Sequence, residues 1–304
     1  MELLKDTYQR QGYVRLKNVL SETEINDLRK SVNKHFNSQK SKRMEMIDYF
    51  NDNPSIYNLQ FKSKIIKACN NIFGENFYIN NSIQVQYNMF GINDKYLGWH
   101  IDCGHEYSQK NNSHLYNRDY KFAKIGIYLQ DNSTDYGGGI DLISKSQNIF
   151  SFKSKILTKI YLTINLFLLK FSKPHANTIF SKAGDVLIFD SRILHRSTIN
   201  NKTRDDSLLH AGRNKFNTDE NSKIAIYWTV GNQFSNGKYI EDMKIRAARE
   251  IKNNPEEIVY CRYLSYYYPD SYNKEYIDKI EKNKLKVSTL SKDESKLYYK
   301  SLNN

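Results

Sequence analysis

Cysteine is scarce in this sequence. Only three of the 304 residues are cysteines, namely Cys69, Cys103 and Cys261, and no two of them form a CxxC pair. A disulfide-rich scaffold and a zinc site built from paired thiolates both require closely spaced cysteines, so the sequence excludes both. So few cysteines are also typical of a reducing compartment, and we expect the protein to be cytoplasmic.

Long apolar segments are absent as well. The N-terminal segment MELLKDTYQRQGYVRL has no uninterrupted apolar stretch of the kind found in signal peptides. No stretch of the sequence reaches the ~18 consecutive apolar residues that a transmembrane helix needs. We therefore expect a soluble protein, or one that touches a membrane only at its surface.

The sequence does contain enough apolar residues for a core, together with an excess of positive charge. Hydrophobic residues make up 39% of the chain and charged residues 26%, which is typical of a globular protein. The 46 Lys and Arg residues exceed the 33 Asp and Glu residues, which gives a formal charge of +13 and favours anionic partners. Nucleic acid, an acidic small molecule and an anionic membrane all meet this condition. The excess of lysine can also be a feature of composition without a functional role, because the lysines are scattered along the chain and do not form one tract.

The predicted elements place strands in the middle of the chain and helices at both ends. Ser21 and Glu24 have the spacing of a capping box, which predicts that a helix begins there. Alternating apolar residues, many of them β-branched or aromatic, predict strands at residues 12–16, 77–79, 83–90, 124–129, 185–195 and 223–230.

Two insertions interrupt the strand-rich middle. Residues 152–173 carry apolar side chains on one helical face and lysines near both ends, which predicts an amphipathic helix. The favoured interpretation packs this helix on the sheet, and the alternative is contact with a membrane surface or an apolar substrate. Residues 199–222 are polar and predict a long surface loop beside the site that the flanking strands build.

A His-x-Asp motif within the segment GWHID, residues 98–102, carries the chemistry. Residues two apart on a strand project from the same face, so His100 and Asp102 present an imidazole and a carboxylate to one point. Two histidines and one carboxylate form the metal-ligand set of non-haem Fe(II) oxygenases, which leaves positions open for a co-substrate and dioxygen. The best candidate for the third ligand is His195, at the end of the strand predicted from Asp185. The remaining histidines lie in helical or polar loop segments: His35, His105, His114, His175 and His210.

Four segments together carry more information than the motif alone. They are GWHID, the glycine-rich turn at residues 137–139, the segment GDVLIFD at residues 184–190 that leads to His195, and the opening segment QGYVRLKNVLS at residues 11–21. On these segments, residues 8–235 resemble the phytanoyl-CoA dioxygenase-like family of Fe(II)/2-oxoglutarate oxygenases. The resemblance implies a mainly β fold with flanking helices, a double-stranded β-helix of the cupin-type jelly-roll class. We expect this domain to span residues 1–235, with a helical, Tyr- and Lys-rich extension at 236–304 packed on it.

The resemblance also implies the ligands of the site. Fe(II) is expected to bind His100, Asp102 and His195, with 2-oxoglutarate and O2 as co-substrates. The family holds the distal carboxylate of 2-oxoglutarate with a basic residue at the start of the strand after the distal histidine. Here the sequence departs from that pattern, because the position expected for this residue falls in the long insertion at residues 199–222. Lys223 is the first choice for this anchor and Arg204, in the long insertion, is the second. Further 2-oxoglutarate contacts are expected from Gln84 and Asn88, and a wall of the site from Trp99.

The predicted reaction is hydroxylation of an unactivated C–H bond with release of succinate and CO2. The presence of Asp102 argues against halogenation, because related halogenases have a small residue in place of the carboxylate. The basic segments around the predicted mouth favour a small anionic substrate, either phosphorylated or linked to a nucleotide, CoA or a carrier. Two alternatives remain: a redox-inactive cupin-like binding protein, because the anchor is displaced, and a nucleic-acid oxidative demethylase. The second lacks an evident basic stripe with aromatic platforms, so we expect no nucleic-acid partner.

Overall fold

The structure is a computed structural model, and it describes residues 2–38, 44–46, 54–87, 99–104, 107, 112–132, 139–171, 176–198, 223–253 and 274–288. The helices are α1 (Glu2–Gln11), α2 (Glu22–Ser38), α3 (Pro54–Tyr57), α4 (Ser63–Phe73), α5 (Lys155–Phe171), α6 (Gln233–Asn253) and α7 (Lys274–Lys282). The 3-10 helices are η1 (Asn58–Phe61), η2 (Ser113–Tyr116) and η3 (Ser146–Phe152). The strands are β1 (Tyr13–Leu16), β2 (Met44–Met46), β3 (Tyr78–Tyr87), β4 (Phe122–Tyr128), β5 (Ile140–Leu142), β6 (Asn177–Ile179), β7 (Val186–Asp190), β8 (His195–Ser197), β9 (Ile224–Gly231) and β10 (Lys286–Ser288).

The described residues form two sheets, and the larger one has seven strands. Its order is β1-β7-β4-β9-β3-β10, and β2 pairs with β3 outside this path. Strand β1 runs antiparallel to β7, with Tyr13 opposite Phe189 and Leu16 opposite Val186. All five residues of β7 are buried, as are nearly all residues of β4 and β9. These strands are therefore covered on both faces, which explains their nearly continuous apolar sequences.

The smaller sheet has three strands in the order β6-β5-β8, all antiparallel. His100 adds an isolated antiparallel bridge to His195, the first residue of β8. Along the chain, the larger sheet receives β3, β4, β7 and β9, and the smaller sheet receives His100, β5, β6 and β8. The chain thus passes back and forth between the two sheets, which is the course of a double-stranded β-helix. The predicted fold class, a mainly β jelly roll of this type with flanking helices, is confirmed.

Residues from both sheets form one core cluster. Ile140 and Leu142 of β5 pack with Leu187 and Phe189 of β7, and Ile193 in the following turn completes the cluster. The two sheets therefore face one another at the point where the chain leaves β7 for β8. This packing supports the backbone that carries His195.

The helix predicted after residue 21 begins with the expected cap. The amide of Ser21 donates to Oε2 of Glu24 at 3.0 Å, and the amide of Glu24 donates to Oγ of Ser21 at 3.3 Å. These reciprocal hydrogen bonds satisfy amides that the first turn of α2 leaves without a helical partner. The local sequence signal and the structure agree here.

The chain divides into two compact units. The first consists of Met1–Glu45, Val85–Arg118 and Lys124–Tyr227, and the second of Met46–Gln84, Asp119–Ala123 and Trp228–Asn304. The second unit has its own aromatic core, in which the rings of Tyr57 and Tyr276 meet edge to face with centroids 5.5 Å apart. The predicted division at residue 235 stays a prediction.

The strand predicted over residues 185–195 is wrong as a single element. Strand β7 ends at Asp190, whose carboxylate accepts hydrogen bonds from the amide, Nε and Nη2 of Arg192 at 2.8–2.9 Å. These contacts stabilise a turn, so the chain leaves the larger sheet before His195 and enters the smaller one. The runs predicted as two strands at 77–79 and 83–90 instead share one strand, β3, which ends at Tyr87 among the described residues.

Candidate metal centre

The backbone brings His100 and His195 side by side. The amide of His100 donates to the carbonyl of His195 at 2.9 Å, and the amide of His195 donates to the carbonyl of His100 at 3.0 Å. Directly opposite residues on antiparallel strands carry their side chains on the same face of the sheet. The two imidazole rings accordingly lie with centroids 4.3 Å apart.

Asp102 joins the two histidines through a turn. The predicted strand through GWHID is reduced, within the described residues, to the bridge at His100, and the chain turns at Asp102 and Cys103. The amide of Cys103 donates to the carbonyl of Ser191 at 3.1 Å, which attaches this turn to the one after β7. The Asp102 carboxylate consequently lies 3.8 Å from Nε2 of His100 and 3.8 Å from Nε2 of His195.

His195 has the tautomer that a metal ligand requires. Its Nδ1 lies 2.9 Å from the carbonyl oxygen of Ile193, so Nδ1 carries the proton and the lone pair of Nε2 points towards Asp102. Burial lowers the pKa of His195 to about 4, although the nearby Asp102 carboxylate acts in the opposite direction. The imidazole is therefore neutral near pH 7 and can donate its lone pair to a metal.

Asp102 remains ionised although it is largely buried. Burial alone would raise its pKa, but Lys124 and the two histidines outweigh burial and lower the pKa to about 2. Nζ of Lys124 donates to Oδ1 of Asp102 at 3.1 Å. The other oxygen, Oδ2, is buried and has no hydrogen-bond partner. A buried carboxylate oxygen without a donor is costly, and a metal ion would remove that cost.

The three side chains fit a divalent metal ion. Their ligand atoms all lie within 4.8 Å of one another, and within the described parts of the chain they form the sole group of three or more such side chains with this spacing. Two neutral imidazole nitrogens and one carboxylate oxygen are the donor set of the facial triad, which suits Fe(II). The structure thus brings the three predicted ligands together.

Lys124 and two tyrosines lie next to Asp102 and form one side of the candidate site, which the sequence analysis did not predict. The ammonium group of Lys124 lies 5.3 Å from the centre of the Tyr227 ring, and the Tyr227 hydroxyl donates to the Tyr128 hydroxyl at 3.3 Å. A charged residue inside the apolar strand sequence FAKIGIY was the available signal for Lys124. Its partner could not be read from the sequence, because Asp102 lies 22 residues away.

Lys223 is a buried cation one residue before β9. Its relative exposure is only 1%, and burial lowers its pKa to about 8. Side chains two residues apart share a face of a strand, so Lys223 lies on the same side of this segment as Ala225 and Tyr227. Because Tyr227 contacts Lys124, this is the side that faces Asp102.

The other predicted 2-oxoglutarate contacts have different positions. The guanidinium carbon of Arg196 lies 4.8 Å from the centre of the Trp99 ring. Arg196 also forms an ion pair with Asp141 at 3.0 Å. Gln84 is half-buried on β3, in the second unit. Asn88 and Arg204 lie outside the described residues. The contacts of all four with a co-substrate stay predictions.

Comparisons with known proteins identify the fold. No family model and no curated protein matches the sequence. Apo HygX from Streptomyces hygroscopicus is similar with a TM-score of 0.51 and 11% identity, over 77% of this chain and 88% of that chain. HygX with nickel and 2-oxoglutarate bound has a TM-score of 0.50 with the same identity and coverage. EctD from S. alaskensis, with 2-oxoglutarate and 5-hydroxyectoine, has a TM-score of 0.50 and 13% identity over 75% of this chain and 74% of that chain.

The chain shares their fold. At such low identity the likeness extends to the architecture alone. The narrower resemblance to the phytanoyl-CoA dioxygenase-like family stays a hypothesis.

Proposed function

We propose that the protein is an Fe(II)- and 2-oxoglutarate-dependent dioxygenase. The observation that carries this proposal is the cluster of His100, Asp102 and His195, in which Oδ2 of Asp102 is buried without a hydrogen-bond partner. Iron, 2-oxoglutarate and O2, when bound, supply the oxidative chemistry that converts 2-oxoglutarate to succinate and CO2 and hydroxylates a substrate C–H bond. The similarity in fold to structures that contain 2-oxoglutarate supports the choice of co-substrate.

The chain's own residues prepare this site before the metal arrives. The Ile193 carbonyl orients the His195 ring and keeps its lone pair on the metal side. Lys124 keeps Asp102 ionised and limits its rotation by holding one carboxylate oxygen. Preorganisation of this kind lowers the cost of collecting the ligands when the ion binds.

We assign the 2-oxoglutarate anchor to Lys223. A buried ammonium group can hold a carboxylate by a charge-assisted hydrogen bond, which is the contact that the distal carboxylate of 2-oxoglutarate needs. Lys223 opens the strand after the distal histidine, although the long insertion separates it from His195, and it is on the side of β9 that faces Asp102. Arg204 remains the second choice, with Gln84, Asn88 and Trp99 as further contacts.

The substrate in this proposal is a small anionic metabolite, phosphorylated or linked to a nucleotide, CoA or a carrier. The net charge of +13 supports a negatively charged substrate through long-range attraction. We also place the protein in the cytoplasm, which agrees with Cys69 and Cys103 being buried and not joined in a disulfide.

Anaerobic titration with Fe(II) and 2-oxoglutarate tests the proposal. Chelation of the metal by the 2-oxo acid should produce a weak visible charge-transfer band. We expect His195→Ala to abolish this band. In Lys223→Met the band should appear only at a 2-oxoglutarate concentration at least tenfold higher, because one charged hydrogen bond is lost.

Two controls make the titration decisive. His35→Ala, on α2, should retain the band, and Arg204→Met tests the second choice of anchor. If Lys223→Met behaves as the parent does and Arg204→Met does not, the anchor is Arg204. Absence of the band in the parent protein, together with no succinate under O2, would contradict the proposal and favour the redox-inactive binding protein.

A further inference from the structure

The apolar face of α5 points away from the protein. Ile156, Ile160 and Ile164 are 73%, 49% and 50% exposed, and Leu157 and Phe167 are exposed to a similar degree. The three isoleucines are spaced by four residues and form one stripe along the helix. The favoured expectation that this face packs on the sheet is therefore wrong for these described residues.

The side of α5 that faces inwards includes two polar residues. Thr158 is buried, and its hydroxyl donates to the carbonyl of Ser154 at 2.9 Å. Asn165 is half-buried, and its side-chain amide donates to the carbonyl of Tyr161 at 2.8 Å. Hydrogen bonds to the backbone of the helix satisfy these polar groups, so the helix can keep its aliphatic stripe on the outside. An exposed apolar stripe of this length marks an interaction surface.

The charge around the stripe identifies the kind of partner. Between Asp141 and Asp185 the sequence has seven lysines and no acidic residue at all. Three of these lysines, Lys153, Lys155 and Lys159, are exposed at the N-terminal end of α5. Aliphatic side chains with adjacent lysines are the composition of helices that lie in the interface of a membrane with anionic lipids.

We propose that α5 binds the surface of an anionic lipid bilayer, with its isoleucine stripe in the acyl boundary and its lysines at the headgroups. No helix among the described residues is long and apolar enough to cross a bilayer, so the helix lies in the plane of the membrane. A second copy of the chain is the weaker candidate, because a symmetric contact would bring two lysine-rich, acid-free surfaces together.

Co-sedimentation with vesicles tests this proposal. The parent protein should bind vesicles of phosphatidylcholine with about one-third phosphatidylglycerol, bind pure phosphatidylcholine vesicles much more weakly, and dissociate at high salt. The variant Ile160→Asp/Ile164→Asp should lower the partition coefficient at least tenfold, because two charges would enter the acyl boundary. Lys153→Gln/Lys155→Gln/Lys159→Gln should lower it by a similar factor on anionic vesicles only.

A matched control uses exposed apolar residues outside α5. Phe234 and Ile277 are 36% and 37% exposed, and Phe234→Asp/Ile277→Asp should bind vesicles as the parent does. Circular dichroism of each variant verifies its fold.

Three outcomes would overturn the proposal. They are no binding of the parent to anionic vesicles, equal binding after the isoleucine substitutions, and a concentration-dependent dimer that these substitutions dissociate while vesicles bind nothing. The iron titration is independent of this result, so failure of the proposed function and failure of membrane binding are distinguishable.

Discussion

At the residue scale, Lys124 and Asp102 form an oppositely charged pair within the candidate metal centre. Lys124 supplies the cation that the largely buried Asp102 carboxylate needs. A bound metal ion would supply a second cation to the same group, on the oxygen that has no hydrogen-bond donor. The stability contributed by Lys124 should therefore depend on whether metal is present.

Replacing Lys124 with Met is expected to destabilise the metal-free protein by about 2 kcal/mol, because it leaves a buried carboxylate unpaired. Saturation with Zn(II), a redox-inert substitute, should recover part of this loss. Urea denaturation with chelator and with Zn(II) measures both values. The control is Lys182→Met, which breaks an exposed ion pair with Asp131 and should leave the free energy of unfolding nearly unchanged, because solvent screens this pair. An equal loss with and without metal would contradict the assigned role of Lys124.

Burial of the Lys223 ammonium group is expected to lower the free energy of unfolding at neutral pH. Its folded-state pKa of about 8 is below its ordinary value of 10.5, so between these two pH values the unfolded chain binds more protons than the folded one. Lys223→Met should raise the free energy of unfolding by roughly 1–3 kcal/mol at pH 7, and this difference should shrink as the pH rises through 8 towards 10.5. Denaturation of parent and variant across this pH range measures it. A difference that does not change with pH would show that Lys223 is not held as a buried cation.

At the element scale, a glycine joins the N-terminal elements to the turn that leads to His195. Gly12, between α1 and β1, has a φ of +83°, and a Cβ atom there would lie 2.6 Å from Cδ of Gln147 and 2.9 Å from Cδ1 of Ile193. Its carbonyl accepts a hydrogen bond from the amide of Asp190 at 2.8 Å. A side chain at this position would move backbone that supports the candidate metal centre.

Gly12→Ala is expected to cost roughly 2–4 kcal/mol in the free energy of unfolding, because backbone strain and a steric clash add. Gly74→Ala is the matched control. Gly74 also has a positive φ, +93°, but no atom lies within 4 Å of the position that a methyl group would take, so the variant should lose only the energy of backbone strain, of order 1–2 kcal/mol. Thermal or urea denaturation of both variants compares these losses, and Fe(II) affinity should fall in Gly12→Ala alone. Equal losses in the two variants would show that the contacts of Gly12 with Gln147 and Ile193 are unimportant.

Helix α5 shows how far a pattern within one element can be interpreted. The sequence correctly predicts a helix with one apolar face at residues 152–173, and the structure has α5 at Lys155–Phe171. The pattern cannot tell whether the face meets the protein or its surroundings, because burial depends on the neighbouring elements. The same limit applies to Lys124, whose place in an apolar strand is evident while its partner is not.

At the scale of the whole molecule, the sequence by itself determined the fold class and the three candidate metal ligands. Alternating apolar residues specify strands locally, and the His-x-Asp spacing and the resemblance to a known family are properties of short segments. The cap at Ser21 is local for the same reason, since all of its hydrogen bonds lie within four residues.

Only the tertiary structure decided which sheet each strand joins and what surrounds the candidate ligands. The break after Asp190 transfers His195 to the smaller sheet, where it meets His100, 95 residues away in the sequence. The ion pair of Lys124 with Asp102, the burial of Lys223 and the outward face of α5 arise in the same way. Each depends on contacts between residues distant in the chain, and those contacts are selected by the packing of the whole core and not by any local pattern.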